Sequence, residues 1–283
     1  MGLLRDTIHQ LERPAILLGN GINNLENTFL DWKSLLHKIG GEKLNFEGLT
    51  YNEMYDFIEM HSVNGKELKL KVCTYLKSPS IENLQPHNQF LNLAQSKNCP
   101  VLTTNFDLAL ETSKELCFFK TENKGFTRFY PWDRYYAQEK LKDPTSGFGI
   151  WHIHGLTRYH DSIRLGLTDY MGSVEKARNW IHKGEKRLFN GKNQGNWSGK
   201  DTWLHIWFNM PLIIVGLKLE SQEVFIRWLL IERERYFRQF EERRKKTVFL
   251  STGNDRKIDN FLRNLNIKHY TTISIDDYAS LYL

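Results

Sequence analysis

Cysteine is scarce in this 283-residue chain: Cys73, Cys99 and Cys117 are far apart, odd in number and form no CxxC pair. That argues against a disulfide framework and against structural zinc, both of which need paired or closely spaced ligands. Three reduced, mostly buried thiols are the expectation. Long apolar runs are missing as well. No stretch reaches the roughly 20 residues that span a bilayer, and residues 1–14 lack the apolar centre of a secretory leader. The expected compartment is the cytoplasm, with no membrane contact. Neither an internal repeat nor a low-complexity segment is present. Charge of one sign is only mildly in excess, at a formal net +6. The single dense run, Glu232 to Lys246, interleaves acids with bases at helical spacing. It reads as a solvated helix end, so no direct nucleic-acid binding is expected. A small anionic ligand suits such a balance.

What is present is ordinary for a globular protein. Apolar residues make up 40% and charged residues 25%, enough for one large domain or one domain with an insert. Trp151, Trp203, Trp207 and Trp228 read as core residues. Four short apolar runs look like buried strands, and each ends in polar or glycine-bearing chain: Ala15–Leu18 before Gly19-Asn20-Gly21, Cys99–Thr103 before Thr104-Asn105-Phe106-Asp107, Gly149–Gly155, and Pro211–Val215 before Gly216. Helical spacing surrounds them. It covers Gly2–Leu11, Trp32–Ile39 capped by Asp31 and stopped at Gly40-Gly41, Asn52–His61, Lys66–Leu76, His87–Ser96, Thr168–Leu188 and Gln222–Arg243. Ser78-Pro79-Ser80 breaks the pattern. Phe118–Asp133 reads as β-structure or an ordered loop, and Asn190–Lys200 as a mobile loop. Strands near Lys246–Ser251 and Asn266–Tyr270 flank a helix at about Asp255–Asn264, and a last helix covers about Ile275–Tyr282.

Strands alternating with helices predict an α/β, Rossmann-like, mostly parallel sheet with helices on both faces. Helical inserts are expected at about 42–80 and 168–205. In such sheets ligands bind beyond the carboxyl ends of the strands, so the four strand ends are expected to converge. Gly19 and Gly21 would allow a left-handed turn and a close approach by a ligand. Asn105 could hold a water, and Asp107 could accept from an amide ligand, although both also suit helix capping. His152 and His154 are two apart on an expected strand and so share a face. No neighbouring carboxylate or cysteine completes a metal site there, and no metal is expected. His154, next to Gly155 at the strand end, is placed as a general base would be.

Taken together these residues resemble the sirtuin-like superfamily. Gly19-Asn20-Gly21-Ile22-Asn23 looks like its GAGxS nucleotide loop, Thr103-Thr104-Asn105-Phe106-Asp107 like its TQNID motif, and His154-Gly155 like its HG pair. Ile213–Ser221, followed by Val224–Leu230, is similar to the late GxS strand and helix of the bacterial branch, and Leu167-Thr168-Asp169-Tyr170 to another of its segments. The resemblance covers about residues 12–252. It implies a single domain over 1–283 that takes NAD+ as a substrate. Gly19, Asn20, Gly21, Ile22, Asn23 and Thr104 would hold pyrophosphate and ribose, and Gly216, Leu217 and Lys218 would line the adenosine side. Asn105 would position a water or the ribose, Asp107 would meet the nicotinamide amide, and His154 would be base or ribose partner. Four departures bear on the activity, one being Asn20, which stands where the family has a small residue. The four zinc cysteines of the deacetylase branch are missing, Thr104 replaces Gln, and Lys218 replaces the Ser of GxS. These resemble the immune-type members that hydrolyse NAD+ to nicotinamide and ADP-ribose in abortive antiphage defence. A partner protein or self-assembly is expected to restrain such an activity. A deacylase, an ADP-ribosyltransferase and a non-catalytic NAD or ADP-ribose sensor remain open.

Overall fold

All four residues of the first strand, β1 (Ala15–Leu18), are buried. A strand hides both its faces only inside a sheet covered on either side. The computed structural model describes residues 2–25, 30–41, 46–62, 65–76, 84–121, 127–253, 258–272 and 277–282. It shows β1 flanked by parallel β2 (Val101–Thr103) and β6 (Leu212–Val215). Beyond β2 come β5 (Ile150–His152), parallel, then β4 (Arg134–Ala137) and β3 (Cys117–Lys120), antiparallel. Beyond β6 lie β7 (Thr247–Ser251) and β8 (Lys268–Thr271), both parallel. The sheet order is therefore β3-β4-β5-β2-β1-β6-β7-β8. Numbered along the chain, the six parallel strands run third, second, first, fourth, fifth, sixth, the doubly wound Rossmann order. The expected α/β fold is confirmed. Its topological switch point falls between β1 and β6. Register puts Leu18 beside both Thr103 and Val215, and Thr103 beside His152. The carboxyl ends of the four central strands thus sit level.

Period-two alternation assigns the two faces. Ile16 and Leu18 pack with α1 (Leu3–Gln10), α5 (Gln85–Ser96) and α11 (Tyr278–Tyr282). Ala15 and Leu17 join the opposite layer, made of α7 (Leu167–His182), α8 (Trp203–Asn209) and α9 (Val224–Gln239). Trp151, Trp203 and Trp207 are fully buried in that second layer, and Trp228 packs partly buried against it. A third apolar cluster forms where α2 (Trp32–Gly40), α3 (Tyr51–Met60) and α4 (Gly65–Tyr75) pack on Phe106, Ile163 and Leu165. This is the small helical insert. Its entries follow the sequence: Asp31 caps α2 by accepting from Ser34 N at 2.8 Å, and Thr50 and Glu53 form a capping box for α3. Two short helices complete the chain, α6 (Ala109–Lys114) and α10 (Asp259–Asn264).

Several expectations are corrected. The charged run from Glu232 is solvated only in part: Arg235, Arg238, Glu241, Glu242, Lys245 and Lys246 are exposed, but Glu232, Arg233 and Glu234 are 1%, 2% and 5% exposed. Arg233 donates to the carbonyls of Trp207 and Met210 and to Thr247 Oγ1, so its charge ties α8 and β7 to α9. The 190–200 stretch is a run of turns, largely exposed and anchored at a few points. Trp197 is buried, its Nε1 donates to His205 Nδ1 at 3.1 Å, and Arg243 donates to the carbonyl of Gly191 at 2.8 Å. Helix α8 had no signal, since an apolar seven-residue segment shows no periodicity. The helix expected to reach Leu188 ends at His182. In the 118–133 stretch, residues 118–120 belong to β3 and 127–133 form turns that lead into β4, as β-structure and loop were expected there, while 122–126 lie outside the described residues. Cys117 is exposed and Cys73 half-buried, leaving Cys99 as the buried thiol. Ser78-Pro79-Ser80, the start of the helix expected at 255 and the start of that expected at 275 lie outside the described residues. Among the described residues no helix is long and apolar enough to cross a membrane.

Candidate functional site

At the switch point the loops after β1 and β6 cross in contact. Gly19 N donates to the carbonyl of Val215 at 2.9 Å, and Gly21 N to that of Gly216 at 3.0 Å. A Cβ on Gly19 would strike the Gly216 carbonyl, and one on Gly21 would lie 2.7 Å from Gly216 Cα. Gly216 itself is left-handed, with φ +74, and a Cβ there would meet the Tyr282 hydroxyl. The three glycines are needed first by one another's backbones. Neither Gly19 nor Gly21 has a positive φ, so the turn expected of them is corrected to a short 3-10 turn over Asn20–Leu25. Ile22 points into the layer below the sheet and is fully buried.

Over this crossing opens a crevice of about 820 Å³ between the strand ends and the α2–α4 insert. Its size falls in the range of small-molecule sites, about 300–1,000 Å³. Asn20, Gly21, Asn23, Thr104, Asn105, Asp107, His154, Gly216, Leu217 and Lys218 all line it. Gly19 and Ile22 do not; the first packs behind the loop and the second in the core. A second cavity, of about 340 Å³, lies at the opposite, amino-terminal end of β7 and β8. It holds none of the expected residues, and the fold places ligands at the other end.

A buried polar network fixes the crevice floor. Asn23 Nδ2 donates to Asn20 Oδ1 at 2.6 Å, and Asn23 Oδ1 lies 2.8 Å from His87 Nε2. Asp107 Oδ1 accepts from Ala109 N at 3.0 Å, at the start of α6. Burial, then the neighbouring Glu111, push the Asp107 carboxyl above its ordinary value. His152 bridges Glu111 Oε1 at 2.8 Å and the Asn105 carbonyl at 2.7 Å. Burial pulls that imidazole down, but Glu111 and the hydrogen bonds outweigh it and hold it above its ordinary value. His152 and Glu111 thereby join the end of β5 to the loop after β2, while His87 ties the loop after β1 to α5. Against this bonding one polar atom stands out on the Asn105 side: Asn105 Oδ1 is shielded and has no partner.

His154 does not share a face with His152. The chain leaves β5 after His152, and Gly155, with φ +94, turns it where a Cβ would strike the Ser162 carbonyl. The His154 ring sits edge-on to Tyr170 at 5.2 Å and tilted against Phe225 at 6.2 Å. Its Nε2 is also buried and without a partner. Burial, with the Arg164 guanidinium behind it, lowers the imidazole to about 3. It is therefore a neutral ring at physiological pH, able to donate or accept one hydrogen bond. Among the described residues no group of three or more His, Cys, Asp or Glu is placed to hold a metal ion.

Reasoning from sequence missed His87, Glu111 and Glu223. The first two carry no local signal, since each acts from a helix flanking a different strand. Glu223, which ends the loop after β6, was visible only as a charge beside a helix start. It lines the crevice, its Oε2 is shielded and without a partner, and burial, then Glu220, raise its carboxyl to about 7. The chain matches no protein-family profile and no curated protein.

Proposed function

We propose that the switch-point crevice binds NAD+ as a substrate and that the chain hydrolyses its nicotinamide–ribose bond, giving nicotinamide and ADP-ribose. One observation carries the reading. The two side-chain atoms that the interior leaves unbonded on the expected catalytic residues, Asn105 Oδ1 and His154 Nε2, belong to walls of a single crevice at the Rossmann switch point. Native interiors rarely leave buried polar atoms unpaired, and a dinucleotide ribose would supply the hydroxyls that both accept. The ordered resemblance of residues 12–252 to the sirtuin-like superfamily points to the same ligand.

The chemistry asks little of the protein. The pyridinium leaves as neutral nicotinamide, and the ribose passes through an oxocarbenium-like transition state. Positioning and exclusion of bulk water then supply most of the acceleration. Asn105 would hold the ribose or the water. His154, neutral in its pocket, is better suited to a ribose hydroxyl than to taking a proton. Asn20 and Asn23, held by the polar network, and the N–H groups of the turn after β1 would face the phosphates. Gly216, Leu217 and Lys218 would border the adenosine side. The role that accompanies this activity, by the resemblance, is depletion of NAD+ in an abortive antiphage response, with a partner protein or self-assembly holding the enzyme in check. The test is incubation of the pure protein with NAD+, with and without candidate activators, while nicotinamide and ADP-ribose are followed. Release that falls at least 100-fold in both Asn105→Ala and His154→Ala supports the reading. Release unchanged in both removes the site, and tight binding without turnover under every condition makes the protein a sensor.

A further inference from the structure

Glu223 lies outside the polar network and has no part in the function so far described. The turn that carries it is held rigid. The Gln222 side chain accepts from Tyr51 N at 3.3 Å, and the Gln222 carbonyl accepts from Asn52 Nδ2 at 3.1 Å. The loop leading to it is left-handed at Gly216 and at Leu219, with φ +74 and +51, a conformation most side chains avoid and one that marks functional loops. The insert thus clamps the end of this loop, and the Glu223 carboxylate is left at the crevice wall with Oε2 shielded and unbonded. Burial, then the charge of Glu223, hold the hydroxyl of Tyr170 up, and His154 packs against that same ring. Two residues further along, Phe225 touches the same imidazole. Glu223 and His154 therefore border one corner of the crevice. The other charged or titratable groups around that corner are Glu220 on the same loop, Tyr170 and Asp169 on α7, Arg164 behind His154 and Lys218 at the mouth.

Resting on the hydrolase reading, we propose that the Glu223 carboxylate accepts the proton of the water that attacks the ribose. Water oxygen bonds to the ribose anomeric carbon, the carbon–nitrogen bond breaks, and its electron pair neutralises the pyridinium. The water proton passes to Glu223 and then to solvent, so one NAD+ and one water give nicotinamide, ADP-ribose and a proton. The division of labour follows from the two environments. His154, at about 3, is too weakly basic to take that proton, whereas Glu223, at about 7, is matched to neutral pH. Asp107, an acid of the crevice floor, is already committed to Ala109 N.

The experiment compares NAD+ hydrolysis by wild type, Glu223→Gln and Glu223→Asp across pH 5–9, with NAD+ affinity measured by calorimetry. Wild type is expected to gain activity through an inflection near pH 7 as the carboxyl ionises. Glu223→Gln is expected to lose about 100-fold or more in kcat, to lose that inflection, and to bind NAD+ within about threefold of wild type. Glu223→Asp should retain the inflection at reduced rate. Sodium azide, which attacks with no proton to lose, should restore rate to Glu223→Gln and divert product to ADP-ribosyl azide. A purely structural role would not produce that rescue. A Glu223→Gln variant that matches wild type in rate and profile overturns the inference alone, as does a loss that azide leaves untouched. A wild type that binds NAD+ and releases no nicotinamide overturns the hydrolase reading and this inference with it.

Discussion

Replacing Gly216 by Ala probes the loop crossing that builds the site. Two separate costs arise there. The left-handed backbone, φ +74, penalises any Cβ by roughly 1–2 kcal/mol. The new methyl also runs into the Tyr282 hydroxyl, with the Gly19 carbonyl and Gly21 N at 3.2 Å behind it, and overpacking of this kind adds roughly 1–3 kcal/mol. The expected loss is therefore about 2–5 kcal/mol. Tyr282 separates the parts. Its hydroxyl is buried without a partner, so Tyr282→Phe alone should be close to neutral or slightly stabilising. In the double variant the hydroxyl clash is gone and only the backbone cost, about 1–2 kcal/mol, remains. Urea unfolding of the four proteins measures the cycle directly. A Gly216→Ala cost below about 0.5 kcal/mol, or no recovery in the double variant, would refute the crossing geometry and the argument that these glycines are required by backbone contact.

Three further outcomes are expected. Arg233→Ala strips buried carbonyls of Trp207 and Met210 of their donor and should cost roughly 3–5 kcal/mol in denaturant unfolding; a cost under about 1 kcal/mol would show that Arg233 is not holding α8 and β7 to α9. The buried imidazoles make the fold acid-labile. His87 and His154 are lowered to about 4 and about 3 while the unfolded side chains protonate near 6.5, so stability is lost as pH falls from 6.5. By pH 4.5 each forfeits up to about 2.7 kcal/mol, taking 1.36 kcal/mol per pH unit. His152, held high, acts in the other sense and loses its contribution only as pH rises above 6.5 through its raised value. A melting temperature flat between pH 6.5 and 4.5, or no flattening in His87→Gln, would contradict this. Finally, Asn23→Ala removes the bonds from this side chain to Asn20 Oδ1 and His87 Nε2 at once. It should weaken NAD+ binding about tenfold, read by calorimetry, and unchanged affinity would show that the network does not shape the phosphate loop.

The sheet was legible because buried strands write themselves as short apolar runs closed by glycine or polar residues, and Ala15–Leu18, Val101–Thr103 and Leu212–Val215 do this without competing signals. Convergence of their ends followed from topology alone. What sequence could not show was division of labour within the site. Gly19 and Gly21 looked like ligand glycines, yet the constraint on them comes from Gly216, almost two hundred residues away. His152 and His154 looked like partners by alternation, but the strand ends at His152, two residues short of what the pattern would need. His87 and Glu111 had no motif, because a buried network is written in three-dimensional proximity. The start of the charged run, Glu232 to Glu234, misled for a related reason. Interleaved acids and bases describe a solvated face equally well as a set of buried pairs, and only the packing of α8 and β7 against α9 decides which.

Hydrogen exchange with and without NAD+, followed in the slow Asn105→Ala variant as well as wild type, tests most directly whether the switch-point crevice is the binding site. Protection is predicted in residues 19–25, 103–108, 152–155 and 216–223 together, with the amino-terminal ends of β7 and β8 unchanged. Protection at 244–248 and 265–270 instead, or none in the four loops at saturating NAD+, would contradict it.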